Sequence, residues 1–94
     1  MLFHVTQTHA YETCMAHDKS RKTKFLQTLE NAKQLKVSIL GVYSDPPGHQ
    51  IFMILETDSM EKLVKFLDPI IDFGDYNIRP VLDFKTAVKN LTNN

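Results

Sequence analysis

Residues 37–56 read VSILGVYSDPPGHQIFMILE, and this stretch decides the fold. Val37 to Tyr43 is a β-branched and aliphatic run, apolar on both faces, and predicts a strand. Ser44-Asp45-Pro46-Pro47-Gly48 is dense turn chemistry, in which proline presets φ and glycine and aspartate accept tight backbone angles. Ile51 to Leu55 is a second, almost wholly apolar run. Two such runs around a Pro-Gly turn predict a β-hairpin.

Working outward, Leu2 to His9 reads as a strand with strict alternation. Phe3, Val5, Gln7 and His9 share one face, and Leu2, His4, Thr6 and Thr8 share the other. Ala10 to Asp18 lacks periodicity and reads as a loop. Lys19 to Lys36 predicts a helix whose stripe is Phe25, Leu29 and Ala32 with Leu26 alongside, capped by Asp18 or Ser20. Downstream of the hairpin, Asp58 and Glu61 resemble a capping box for a helix carrying Met60, Leu63, Val64 and Leu67. Pro69 ends or kinks that helix and Gly74 stops the segment. Tyr76 to Leu82 predicts a fourth strand, which Pro80 confines to a sheet edge. Asp83 caps a last short helix with Phe84, Val88 and Leu91 on one side.

The order is βαββαβ plus a C-terminal helix. This predicts an α+β, ferredoxin-like fold, with a four-stranded antiparallel sheet in the order 4-1-3-2. Two helices cover one face of such a sheet, yet strands two and three are apolar on both. The uncovered face predicts a homodimer packed sheet to sheet, of the dimeric α+β barrel type, with the last helix placed to dock on the partner.

Composition narrows the function. The 94 residues predict one ferredoxin-like domain spanning 1–94, large enough for a single core. Eleven basic and eleven acidic residues give a formal net charge of zero, which argues against nucleic-acid binding driven by bulk charge. One cysteine excludes an intramolecular disulfide and fits a reducing, cytoplasmic compartment. No apolar run approaches the roughly 18 residues of a membrane span. The opening residues, MLFHVTQTH, are too short and polar an apolar run for a signal peptide. No glycine-rich phosphate loop, no Ser-His-Asp arrangement and no paired carboxylates stand out. Asp72 and Asp75 flank Gly74 as turn residues.

Polar chemistry converges at one rim. Strands one and three are antiparallel neighbours in the predicted order, so His9, ending the first, lies beside His49, opening the third. The loop after His9 adds Glu12, Cys14 and His17. Imidazole and thiolate suit zinc, nickel, copper or iron, so His9, Cys14 and His49 are candidate metal ligands, with Glu12 or His17 completing or orienting the set. The Cys14-x-x-His17 spacing carries little by itself; the convergence carries the reading. Solvated loop side chains are the alternative. Cys14 is also a candidate reactive thiol, through a helix N-terminus and Lys19, Arg21 and Lys22 nearby, or else a half-buried small hydrophobe. The basic group Lys19, Arg21, Lys22 and Lys24 is either a solvated face or an attractor for an anionic ligand. His4 points away from His9 and reads as a core or interface residue. Tyr76 is the phenol best placed at the rim, and Met53 and Met60 read as core.

MLFHVTQTH (1–9), VYSDPPGHQIFMILETDS (42–59) and YNIRPVLDF (76–84) together resemble a family of short, uncharacterised prokaryotic proteins. It is a domain-of-unknown-function family related to the dimeric α+β barrels. In the members that this chain most resembles, the first loop carries a His-x-x-Glu-x-Cys-Pro motif. Here it stands as His9, Glu12 and Cys14, with Met15 in place of proline. A histidine shortly after the strand-two hairpin also recurs, here His49. The resemblance implies the ferredoxin-like fold and no assigned activity. Distant relatives of similar architecture include nickel-binding proteins, monooxygenases and haem-degrading enzymes. The expectation is a small homodimeric protein with a transition-metal or reactive-thiol site at the sheet rim. Its alternatives are an enzyme acting on a small organic or sulfur-containing substrate and an interaction or regulatory domain.

Overall fold

The computed structural model describes residues 1–92. The strands are β1 (Leu2–Thr8), β2 (Ser38–Asp45), β3 (Gln50–Glu56) and β4 (Asp75–Val81), and the helices are α1 (Lys19–Glu30), α2 (Met60–Leu67) and α3 (Phe84–Thr92). All pairings are antiparallel, in the order β2-β3-β1-β4. This is the expected ferredoxin-like sheet, and Pro80 lies on its edge strand, where the missing N–H leaves no ladder bond unmade.

Alternation along β1 and β3 sets the core. Phe3, Val5 and Gln7 of β1 and Ile51, Met53 and Leu55 of β3 are buried on one face. Phe25 and Ala32 from the α1 side and Leu63, Phe66, Leu67, Ile70 and Phe73 from the α2 side close over them. Each fully buried aliphatic or aromatic side chain contributes about 1.5–3 kcal/mol. Met60 and Val64 are 45% and 49% exposed, contrary to the expected stripe. α2 presents Leu63, Phe66 and Leu67 instead, an i, i+3, i+4 set that turns the first residue of the helix outward.

Local chemistry explains the boundaries. Asp18 is the α1 cap, accepting from the Arg21 N–H at 3.0 Å. α1 ends at Glu30 rather than Lys36, because the Asn31 N–H is drawn to both the Gln27 and Thr28 carbonyls. The chain then tightens into a 3-10 turn and reverses at Lys36, φ 64°. Ser59, not Asp58, caps α2, accepting from the Lys62 N–H at 3.2 Å. Asp58 is one residue too early and pairs with the Lys62 ammonium instead, which holds its carboxyl below the usual range. After Pro69 the chain runs on as a 3-10 segment to Phe73. It then passes the end of β1 so closely that a Cβ on Gly74 would run into the Thr8 carbonyl oxygen.

Candidate metal centre

β1 and β3 bring two imidazoles together at the rim. Thr8 pairs with Gln50, and one step further the His9 N–H donates to the His49 carbonyl oxygen at 3.0 Å. The two rings meet edge-on, with centroids 5.6 Å apart. The loop following His9 folds as two 3-10 turns, Tyr11–Thr13 and Met15–His17, and Cys14 is the hinge between them. That hinge returns the thiol to the histidines. Ligand atoms of His9, Cys14 and His49, all three residues half-buried, lie within 4.8 Å of one another.

Each histidine presents a free ring nitrogen by a different route. Gln7 is fully buried and its amide is oriented by the Phe73 carbonyl, to which Nε2 donates at 3.3 Å. Its Oε1 is therefore the acceptor facing His9 Nδ1, at 2.6 Å. An acceptor there requires the proton on Nδ1, which leaves the His9 Nε2 lone pair for a ligand. Burial, with His49 beside it, pushes the His9 imidazole below its ordinary 6.5, toward the neutral form that binds metal. His49 sits at the end of the Asp45–Gly48 turn, in which the Asp45 carboxylate accepts from the Gly48 N–H. Its φ is 53°, left-handed backbone that a non-glycine residue adopts at a cost of about 1–2 kcal/mol. Its Nδ1 is buried with no hydrogen-bond partner among the described residues.

Other expected site residues stand apart. Glu12 and His17 are exposed and lie outside the three-residue group. His17 stacks obliquely on Tyr11, whose ring meets His49 edge-on at 6.0 Å. The α1 N-cap is Asp18, four residues beyond Cys14, so the thiol does not occupy that helix terminus. Arg21 and Lys24 reach over the Phe73 ring, at 5.3 and 6.0 Å, rather than gathering at the start of the helix. Tyr76 is at the rim but faces inward. Its hydroxyl donates to the Ile70 carbonyl at 2.6 Å, and burial pushes its pKa up to about 12. His4 lies on the opposite face of the sheet, against Phe52. Gln7 is the residue that sequence reading passed over. The signal was present: an amide in a buried register, two residues before a histidine on the same face.

Beside the group is a cavity of about 300 Å³ between α1 and the β2–β3 hairpin. His9, Cys14 and Met15 line it together with Phe25, Leu29 and Val42.

With that geometry established, relatives can be weighed. The family model described as "Domain of unknown function (DUF3303)" matches residues 1–94. The chain belongs to this family. No curated protein matches the DUF3303 chain. Among solved structures it is similar to SCO4226 from Streptomyces coelicolor A3(2), with 18% identity over 85% of this chain and 98% of that one, at a TM-score of 0.57. It is also similar to a protein solved as "a putative transposase from deinococcus radiodurans r1", with 12% identity over 99% and 88% of the two chains, at a TM-score of 0.55. At these identities the likeness is one of fold.

Proposed function

We propose that this DUF3303 chain binds a transition metal ion through His9, Cys14 and His49, and does so as a homodimer. The observation that carries the metal reading is the approach of three nitrogen and sulfur donors, one from each of His9, Cys14 and His49, to within 4.8 Å of one another. A tetrahedral site with metal–nitrogen distances near 2.0–2.1 Å and a metal–sulfur distance near 2.3 Å needs donors about 3.3–3.6 Å apart. A small inward rotation of side chains supplies the difference. Zinc, nickel, copper and iron all accept this donor set. Glu12, the acidic residue of the His9-x-x-Glu12-x-Cys14 motif, is exposed and reads as an outer-shell carboxylate rather than a fourth ligand.

The homodimer is supported by what the chain leaves uncovered. Leu40 and Tyr43, at 58% and 63% exposed, belong to β2, and Phe52 and Ile54 lie on the sheet face away from the core. α3 projects: Phe84 and Leu91 are 79% and 74% exposed. The radius of gyration is 14.7 Å, against about 12–13 Å for a compact chain of this length. A second copy facing the open sheet face, with α3 laid across it, buries both features.

The test is elemental analysis of untagged protein, beside a His49→Ala variant. One zinc, nickel, copper or iron per chain, lost in the variant, is the expected result. No metal in the wild-type protein after incubation with each ion overturns the reading. A second reading is an enzyme acting on a small organic molecule, and the cavity lined in part by His9 and Cys14 is what favours it.

A further inference from the structure

The three protein ligands leave a tetrahedral ion one open position, the arrangement of a site that meets a substrate rather than one that only holds a fold together. Two of the three, His9 and Cys14, form part of the wall of the 300 Å³ cavity. Met15, Phe25, Leu26, Leu29, Val42 and Ile51 make most of the lining apolar, with Ser44 and Asp45 the polar residues beside the donors' own. Its volume is about that of ten water molecules, at roughly 30 Å³ each, and so suits a molecule of about ten non-hydrogen atoms. The charge nearby is also constrained. Asp45 also lines the cavity, its carboxylate held by the Gly48 N–H. A Cys14 thiolate and the Asp45 carboxylate together offset a divalent ion. An anionic head would then add an unbalanced charge in an apolar enclosure, which is costly, whereas a neutral donor adds none.

We infer that the cavity between α1 and the β2–β3 hairpin binds a small apolar molecule carrying one neutral nitrogen or sulfur donor, with that donor taking the open position on the metal. The inference rests on the metal reading above and goes beyond it by naming the class of ligand.

Cobalt(II) is the probe ion, since its visible spectrum reports its ligands. Titration of the protein with cobalt alone comes first. Absence of a thiolate-ligated spectrum overturns the metal reading and this inference with it, before any organic probe is added. On the cobalt protein, 4-phenylimidazole is then compared with imidazole and with phenylacetate. The expected result is a saturable spectral change with 4-phenylimidazole at a concentration at least about ten-fold lower than with imidazole, since the phenyl ring is buried. Phenylacetate is expected to produce no comparable change. Equal affinities for the two azoles, or tighter binding of phenylacetate, overturn the inference while leaving the metal reading in place. Two variants locate the ring. Leu29→Phe fills the cavity, and Ala16→Trp, at an exposed position of its wall, narrows the entrance without touching the core. Both are expected to bind cobalt normally and to reduce the ten-fold preference to near parity. Retention of the preference in both puts the phenyl ring elsewhere and overturns the assignment.

Discussion

His9 and His49, forty residues apart in sequence, are joined through their backbones: the His9 N–H donates to the His49 carbonyl oxygen at 3.0 Å. This bond extends the β1–β3 ladder by one step past Thr8 and Gln50. The approach of the two residues therefore follows the sheet register, each lying one residue outside its strand. Cys14 comes from further along the chain, between the two 3-10 turns that follow His9.

Gln7 is the residue that prepares His9. Its buried amide oxygen accepts from the Nδ1–H and leaves the Nε2 lone pair to bind. Gln7→Leu keeps the volume and removes the acceptor, so His9 loses its fixed tautomer and ring angle. Metal affinity is expected to fall about 10–100-fold, as for other carboxylate or carbonyl partners of ligating histidines. Competition against a chromophoric chelator measures it, with circular dichroism confirming the fold. Unchanged affinity would remove Gln7 from the site.

His49 holds left-handed backbone at φ 53°, where glycine is at ease and histidine is not. Relief of that strain outweighs the greater freedom of glycine in the unfolded chain. His49→Gly is therefore expected to stabilise the metal-free protein, by up to about 1 kcal/mol, while abolishing metal binding. Thermal unfolding with and without metal reads both effects. A less stable metal-free variant would mean that the imidazole is there for packing.

Much of this was legible in the residues. The turn at Asp45–Gly48 and the alternation in β1 are strong local signals, and topology alone then set His9 beside His49. The role of Gln7 was not legible, because it depends on the Phe73 carbonyl, sixty-six residues away. Asp58 and Ser59 are both good cap residues by type, and it is Ser59, with extended backbone at φ −153°, whose hydroxyl accepts from the Lys62 N–H. Periodicity drew Met60 and Val64 into the core because an apolar stripe does not say which of its edges faces water.

Gly74 lies against the end of β1, where the chain returns to start β4. A side chain there meets the Thr8 carbonyl, which is backbone and cannot swing aside. Gly74→Ala is expected to cost about 1–3 kcal/mol, as other overpacked sites do. It should also weaken metal binding, since Thr8 immediately precedes His9. Denaturant unfolding and the chelator competition test the two halves separately. A neutral substitution would show that the close approach relaxes without consequence.

Tyr76 gives an alkaline signature. Its pKa is raised from 10.0 to about 12, first by burial, so the folded protein keeps the neutral phenol while the unfolded chain gives up its proton more readily. The stabilisation linked to this group is fully present below pH 10 and is lost as pH rises toward 12. Tyr76→Phe cannot ionise and also loses the bond to the Ile70 carbonyl, at about 1 kcal/mol. The variant should be less stable at neutral pH, and the difference from wild type should shrink above pH 10. A constant difference across that range would mean that Tyr76 titrates as an ordinary exposed phenol.

The dimer turns on α3. Phe84, Val88 and Leu91 recur at i, i+4 and i+7 along one side of the helix, yet Phe84 and Leu91 are left uncovered among the described residues. If a second copy covers them, a charge at the centre of that contact is expensive in the dimer and harmless in the monomer. Phe84→Asp with Leu91→Asp is therefore expected to shift sedimentation from the dimer mass to the monomer mass at micromolar concentration. The thermal stability of each domain should fall less than the association constant, because neither side chain belongs to the intrachain core. The His9, Cys14 and His49 group comes from one chain, so any metal bound by the wild-type protein is expected to survive in the monomeric variant. A wild-type protein that already sediments as a monomer ends the dimer reading and leaves the apolar side of α3 to a different partner.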